Sequence, residues 1–275
     1  MANLIPMKIY FTMRKLLVIV IFFMFLSTGF AQNDFCSTEN NCIQAGEQLK
    51  FKVYYNLSAL WVGAGEASFT TKSETLNGHN VFHITGSGST YPSYDWIFKV
   101  RDKYETYLDV NTLMPLKFVR NVDEGDTKFS NNVTFNQQQH KAYSNKKTFD
   151  IPNCVQDVLS AIYYARNIDY EQYKTGSKIP FSMFLDDKVY NLYIRYAGKQ
   201  TIKTKYGTFK AIKITPLLIK GTIFKGGEDM VVWISDDKNH IPLRVHSPIL
   251  VGSVKVDMMG YDHLKYPLTS LVEKK

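Results

Sequence analysis

The chain has little of what marks a catalyst, a metalloprotein or a membrane span. Its longest uninterrupted apolar run, residues 16–26, is 11 residues long, against roughly 20 needed to cross a bilayer as a helix. It has only three cysteines, Cys36, Cys42 and Cys154. Their spacing excludes a zinc ribbon, and the absence of C-x-x-C excludes dithiol redox chemistry. The six histidines form no H-E-x-x-H or comparable ligand set, so no metal site is expected. Residues 221–227 lack the Gly-Lys-Ser/Thr end of a phosphate loop, and the paired glycines 63/65 and 86/88 lack the third glycine of a dinucleotide fingerprint. Residues 86–89 miss the G-x-S-x-G elbow of a serine hydrolase. Neither a cofactor nor an enzymatic activity is expected.

A strong basic excess is missing too. Lys8, Arg14 and Lys15 lie ahead of the apolar run, and without them the net charge of +8 falls to +5. The remaining basic residues are scattered, which suits lysines guarding sheet edges and argues against a nucleic-acid partner.

What is present begins with a leader. The three basic residues, the short apolar run and the small residues Gly29 and Ala31 describe a secretory signal over residues 1–31, cut before Gln32. No cysteine follows the cut directly, so residues 32–275 are expected as one exported, periplasmic β domain with no transmembrane segment and no lipid anchor. In an oxidising compartment two of the three cysteines should bridge, and a bond from Cys154 to Cys36 or Cys42 would pin the N-terminal segment.

Alternation then dominates. Phe51, Val53, Tyr55 and Leu57 share one face of a strand while Lys52, Tyr54 and Asn56 share the other. Similar segments fall at 66–72, 80–87, 104–110, 116–122, 128–135 and 141–149. After residue 177 they resume at 178–185, 189–197, 200–206, 208–217, 229–235, 241–246 and 250–261. Short connections, among them Asn77-Gly78, favour an antiparallel meander. The period changes once: apolar residues at 155, 158, 159, 162 and 163 predict one long amphipathic helix over 155–173, capped by Asn153. Asp157 and Arg166 within it are nine residues apart and do not face each other. Each is expected to anchor the helix to the sheet. Residues 93–102 pack Tyr94, Trp96 and Phe98 among charges that include Arg101. With Trp61 and Trp233 they make an aromatic set suited to a pocket or apolar lip, although ordinary sheet packing would also use them.

Five segments carry a resemblance: 46–55 (GEQLKFKVYY), 61–65 (WVGAG), 98–105 (FKVRDKYE), 156–166 (QDVLSAIYYAR) and 233–242 (WISDDKNHIP). Together they resemble the DUF3108 family of exported bacterial proteins, a family without an assigned function. The meander with one inserted helix is also similar, at the level of fold, to the open half-barrels of periplasmic lipoprotein carriers. That likeness implies a curved sheet around a hydrophobic cavity, the helix as plug or lid, and Trp61, Trp96, Phe98 and Trp233 as lining. The leading expectation is a non-enzymatic periplasmic protein binding a lipid, an acyl chain or another lipophilic envelope component. The alternative is a structural or partner-binding envelope protein with a packed core. A third reading, a hydrolase, needs two of Asp95, Asp102, Asp157 and Asp236 to converge in a cleft.

Overall fold

Alternating segments can bury their apolar face only by pairing edge to edge and curling, and the computed structural model shows this arrangement. It describes residues 39–57, 60–145, 147–220, 226–249 and 251–275, without the side chains of Leu57 and Ile97. The signal segment and Cys36 lie outside the described residues. The first half supplies β1 (Gln48–Leu57), β2 (Leu60–Leu76), β3 (His79–Thr90), the short helix α1 (Asp95–Phe98) and β4 (Arg101–Asp109). It continues through β5 (Pro115–Glu124), β6 (Thr127–Asn136), β7 (Lys141–Ser144) and β8 (Lys147–Asp150). After helix α2 (Val158–Ala165) come β9 (Lys178–Leu185), β10 (Lys188–Lys203), β11 (Gly207–Pro216) and β12 (Val231–Ser235). The chain ends with β13 (Pro242–Pro248), β14 (Ser253–Asp262) and β15 (Leu271–Lys274).

These strands form one antiparallel sheet in the order β8-β7-β6-β5-β4-β3-β2-β1-β14-β13-β12-β11-β10-β9, with β15 added to β11. The expected curved, open meander is what forms. By backbone pairing the sheet does not close into a barrel. Its two ends nevertheless meet through side chains: Phe184 of β9 packs on Phe135 of β6 and Phe149 of β8, with ring centroids 6.1 and 5.5 Å away. The segment before α2 covers the exposed edge of β9. The Gln156 N–H donates to the Ser182 carbonyl and the Phe184 N–H to the Gln156 carbonyl, at 2.9 and 2.8 Å.

Several segments differ from the sequence expectation, each for a local reason. The helix is eight residues long, not nineteen. It cannot begin at Asn153, because Cys154 sits at φ +57° and Gln156 is bridged to β9. The cap is Asp157, whose carboxylate accepts from the N–H groups of Leu159 and Ser160 while the Ser160 hydroxyl satisfies the Asp157 N–H. Beyond Arg166, Asn167 turns aside to accept the N–H groups of Asn41 and Cys42, and only a 3₁₀ turn at Tyr170–Gln172 follows. The 141–149 segment is a hairpin, turning at Asn145 with φ +48°. Two expected strands fuse into β10 because a bulge between Tyr196 and Lys199 absorbs Gly198. Cys42 is not bridged. Its thiol is buried against the Arg166 carbonyl at 3.5 Å, whereas Cys154 is disulfide-bonded.

Helix α2 lies inside the curl. Tyr163, Tyr164, Ala165, Ile168 and Tyr170 pack with Phe82 and Ile84 of β3, Leu108 of β4, and Ile179, Phe181 and Ile194 of β9 and β10. Contact is close enough that Gly86 of β3 has no room for a side chain. A Cβ there would stand 2.9 Å from the Phe69 ring and 3.1 Å from Leu159. Among the described residues, side chains fill the space where the helix meets the sheet.

One buried charge pair ties the elements together. The Arg166 guanidinium makes two parallel bonds to the Glu47 carboxylate, at 2.6 and 2.7 Å, with both side chains almost fully buried. Its third donor reaches the Asn239 carbonyl at 3.2 Å, and its face lies 4.9 Å from the centre of the Tyr163 ring. Breaking such a pair strands a charge in the interior. Arg166→Ala is expected to cost about 3–5 kcal/mol in urea unfolding, and Asp157→Ala about 2 kcal/mol through the lost cap. A loss below about 1 kcal/mol for Arg166→Ala would show that the pair does not hold the fold.

Candidate functional site

A meander gathers alternate connections at one end of its sheet. The β13–β14 turn, the β1–β2 turn, the β3–β4 connection with α1 and the β5–β6 turn therefore share a rim. Large apolar side chains are exposed there: Leu60 at 74%, Val251 at 63% and Trp96 at 83%, with Trp61, Val62 and Phe98 at 38–45%.

The rim is stitched together. The Tyr55 hydroxyl donates to the Val251 carbonyl at 2.8 Å, joining the end of β1 to the β13–β14 turn. Gly252, at φ +78°, lets them touch, because a Cβ would lie 2.2 Å from the Asn56 carbonyl oxygen. The Tyr91 N–H bonds the Ala64 carbonyl, and the Gly125 N–H bonds the Lys99 carbonyl. Phe98 rests over Gly125.

Arg101 is the staple of the β3–β4 connection. Its guanidinium donates to both Asp95 carboxylate oxygens, at 3.1 and 2.7 Å, and to the Thr90 and Val100 carbonyls and the Thr90 hydroxyl. Hydrogen bonds from Thr90 and Arg101 lower the Asp95 pKa. The arrangement fixes α1, from which Trp96 projects with its indole N–H on the Ser93 carbonyl.

Of the five candidate ligand-binding residues, Trp61, Trp96, Phe98 and Arg101 lie along this rim. Trp233 lies apart on β12, partly buried against Leu49, Phe51 and their neighbours, with its indole nitrogen unpaired. Two grooves have volumes of about 620 and 610 Å³, the first away from the rim and the second reaching it at Arg101. The first is bounded by the β2–β3 and β4–β5 turns. The second is lined by Lys50, Ser68, Ser87, Ser89, Arg101 and Asp102 among others.

The four aspartates of the hydrolase reading do not converge. Asp95 is held by Arg101, Asp157 caps α2, and Asp236 pairs with Lys199 at 2.9 Å. Asp102 meets a residue that sequence reasoning missed, Glu124. Burial, then a hydrogen bond to Asp102 and that residue's charge, push the Glu124 carboxyl up to about 7. Tyr104 nearby is pushed up to about 12 by burial and Asp102. Glu124 can hold a proton near neutrality, but no histidine, serine or cysteine hydrogen-bonds it or Asp102 among the described residues. Also among the described residues, no group of three or more acidic, histidine or cysteine side chains is placed to hold a metal ion, and no helix is long and apolar enough to cross a membrane.

With the geometry in hand, comparison with known proteins places the chain. The profile of the DUF3108 family, whose description is a protein of unknown function, matches residues 50–259. The chain belongs to the DUF3108 family. A search of curated proteins returns no match. Among solved structures, the β-barrel-like protein of the DUF1849 domain of unknown function from Brucella abortus is similar, with a TM-score of 0.52 at 9% identity. The match covers 80% of this chain and 98% of that one, and shows a shared fold alone. A structure from Parabacteroides distasonis assigned as a lipoprotein gives a TM-score of 0.36 at 13% identity, covering 82% of this chain and 99% of that one, too low to carry weight. All five segments that carry the family resemblance contribute to the clasp or the rim. Glu47, Arg166 and Asn239 come from three of them, Trp61 from the fourth, and Phe98 and Arg101 from the fifth.

The Glu124 and Asp157 carboxyls, at about 7 and about 6, both bind a proton more tightly in the folded protein than at their ordinary values. Burial is the main cause for each. Their contribution to stability is therefore full below about pH 4 and is lost as pH rises through 6 and 7. Glu124→Gln removes the upper part of that loss. It should gain on the order of 1 kcal/mol over the native protein at pH 8, after allowance for solvent screening, and nothing at pH 4. Paired urea titrations at the two pH values measure it, and an equal effect at both would show that folding does not raise the Glu124 pKa.

Proposed function

We propose that this is a non-catalytic protein, exported to the periplasm, that binds lipid or other lipophilic envelope material at the rim of its sheet. The observation that carries this reading is the exposure of Leu60, Trp61, Val62, Trp96, Phe98 and Val251 at one end of a molecule whose interior is filled. Exposed apolar side chains scattered singly need no explanation, but a set gathered on adjoining turns marks a contact surface. Tryptophan beside aliphatic tips suits the boundary between water and acyl chains, with the ring apolar and its N–H able to stay wet. The signal-like leader over residues 1–31 supports export.

A filled interior also favours a second reading, a partner-binding envelope protein whose rim meets another protein. The two differ in what the rim does with lipid alone. Tryptophan emission during titration with phospholipid vesicles should shift to the blue. Trp61→Ala and Trp96→Ala should each weaken partition about tenfold, and Trp233→Phe should leave it unchanged. No shift in the native protein at any lipid concentration would give the function to a protein partner instead.

A further inference from the structure

Directly beneath the Trp61 tip lies a cluster of cations with too few anions. Lys255 of β14 stands 4.4 Å from the centre of the Trp61 ring and 5.0 Å from the centre of the Tyr54 ring. Lys205, from the β10–β11 turn, lies 4.8 Å from the same Tyr54 ring, and Lys52 of β1 lies 5.8 Å from it. His246 of β13 packs edge-on against Trp61 at 5.8 Å.

The acids nearby do not balance these charges. Asp257 is buried and taken by Arg244, through two bonds of 2.5 and 2.8 Å. Glu66 stands opposite Lys52 in the β1–β2 register and makes no ion pair with it. Three ammonium groups thus surround one tyrosine, and none of them makes an ion pair among the described residues. The Tyr54 hydroxyl itself is buried and has no hydrogen-bond partner, in a side chain only 3% exposed.

Both features are costly without a ligand. Burial and the neighbouring Arg244 and Lys205 charges lower the Lys255 pKa, against the pull of Asp257. Burial, Lys255 and Arg244 lower that of His246. An unpaired buried hydroxyl forgoes a hydrogen bond that water or a ligand would supply. A tetrahedral oxyanion answers both, offering several acceptor oxygens and negative charge to point-charge ammonium donors.

We propose that Lys52, Lys205, Lys255 and the Tyr54 hydroxyl form a binding site for a phosphate-class oxyanion, and that this anion is the headgroup of a membrane lipid. The choice of source rests on the rim reading above, because Trp61, one of the exposed rim side chains, packs over Lys255. An exposed tryptophan next to a lysine cluster matches the layered chemistry of an anionic bilayer, acyl chains beneath phosphate.

The test is co-sedimentation of the full chain with phosphatidylcholine vesicles, with and without phosphatidylglycerol, at low and high salt. The native protein should prefer the anionic vesicles by at least about tenfold, and salt should reduce the preference. Lys52→Gln and Lys255→Gln should each cut that preference about fivefold while leaving binding to neutral vesicles in place. Trp61→Ala should weaken both, and thermal melting confirms that each variant is folded. Equal binding to the two vesicle types would overturn the oxyanion site and leave the rim reading standing. If neither vesicle binds, the rim reading falls, and a titration with inorganic phosphate decides the rest. Phosphate binding lost in Lys255→Gln would support the site with a soluble source, and no phosphate binding would overturn it.

Discussion

The bidentate bond between Arg166 and Glu47 is the constraint on which the arrangement of this protein turns. A guanidinium and a carboxylate taken fully out of water are tolerable only together and only with their remaining valences met. Meeting them recruits most of the chain's remote parts. Glu47 opens β1, and its carbonyl accepts the Thr71 N–H of β2. Arg166 ends α2, and its own carbonyl is shared by the Cys42 thiol and His240. Asn239 takes the third guanidinium donor, while its side chain accepts the Tyr266 N–H and donates to the Tyr266 carbonyl. Asp237 then holds the N–H groups of Asn239 and Ser270. The N-terminal segment, the helix, the β12–β13 turn and the C-terminal segment are thereby locked at one point. A fifteen-stranded sheet with no closing pair of strands needs such a clasp, because its hydrogen bonds alone do not fix how far it curls.

Much of this fold was legible because strand alternation is local. The period-two pattern in β1 depends on which residue follows which, and so does the Asn77-Gly78 turn. The helix was legible as an event but not in length. An apolar stripe reports which face would be buried, and says nothing of whether Asp157 or Asn153 caps it. That choice was made by distant groups, the Thr106 hydroxyl on the Asp157 carboxylate and the β9 edge on Gln156. Gly198 read as a break between strands because a bulge and a turn use the same residue for the same backbone freedom.

The candidate site was half legible for a similar reason. Trp61, Trp96 and Phe98 stood out by type, and their common end of the sheet follows from the meander. Whether they faced inward depended on how much of the interior Tyr163, Tyr164 and Tyr170 already filled, which is a question of volume that composition does not answer. The cation cluster was invisible. Lys52 and Lys255 read as ordinary outward residues of alternating strands, and Lys205 joins them only because a turn 150 residues away in sequence returns to β1.

A filled interior changes what a barrel-like sheet can do. A hollow barrel selects a ligand by enclosing it, so its specificity lies in the lining. Here α2 occupies the space where a ligand would sit, and Gly86 shows how little room is left. Binding at the surface would then use turns whose shape is set by backbone hydrogen bonds and side-chain cross-links. Turns at a sheet end suit that role: each is short, each is anchored by two strands, and neighbouring turns are held at strand spacing. The Arg101 staple braces the β3–β4 connection internally, and the Tyr55 hydroxyl ties the end of β1 to the β13–β14 turn, so the exposed rings are held in fixed positions. The rigidity supplied by the Arg166–Glu47 clasp at the core is thus what allows apolar side chains to be held in water at the rim without collapsing onto the molecule itself.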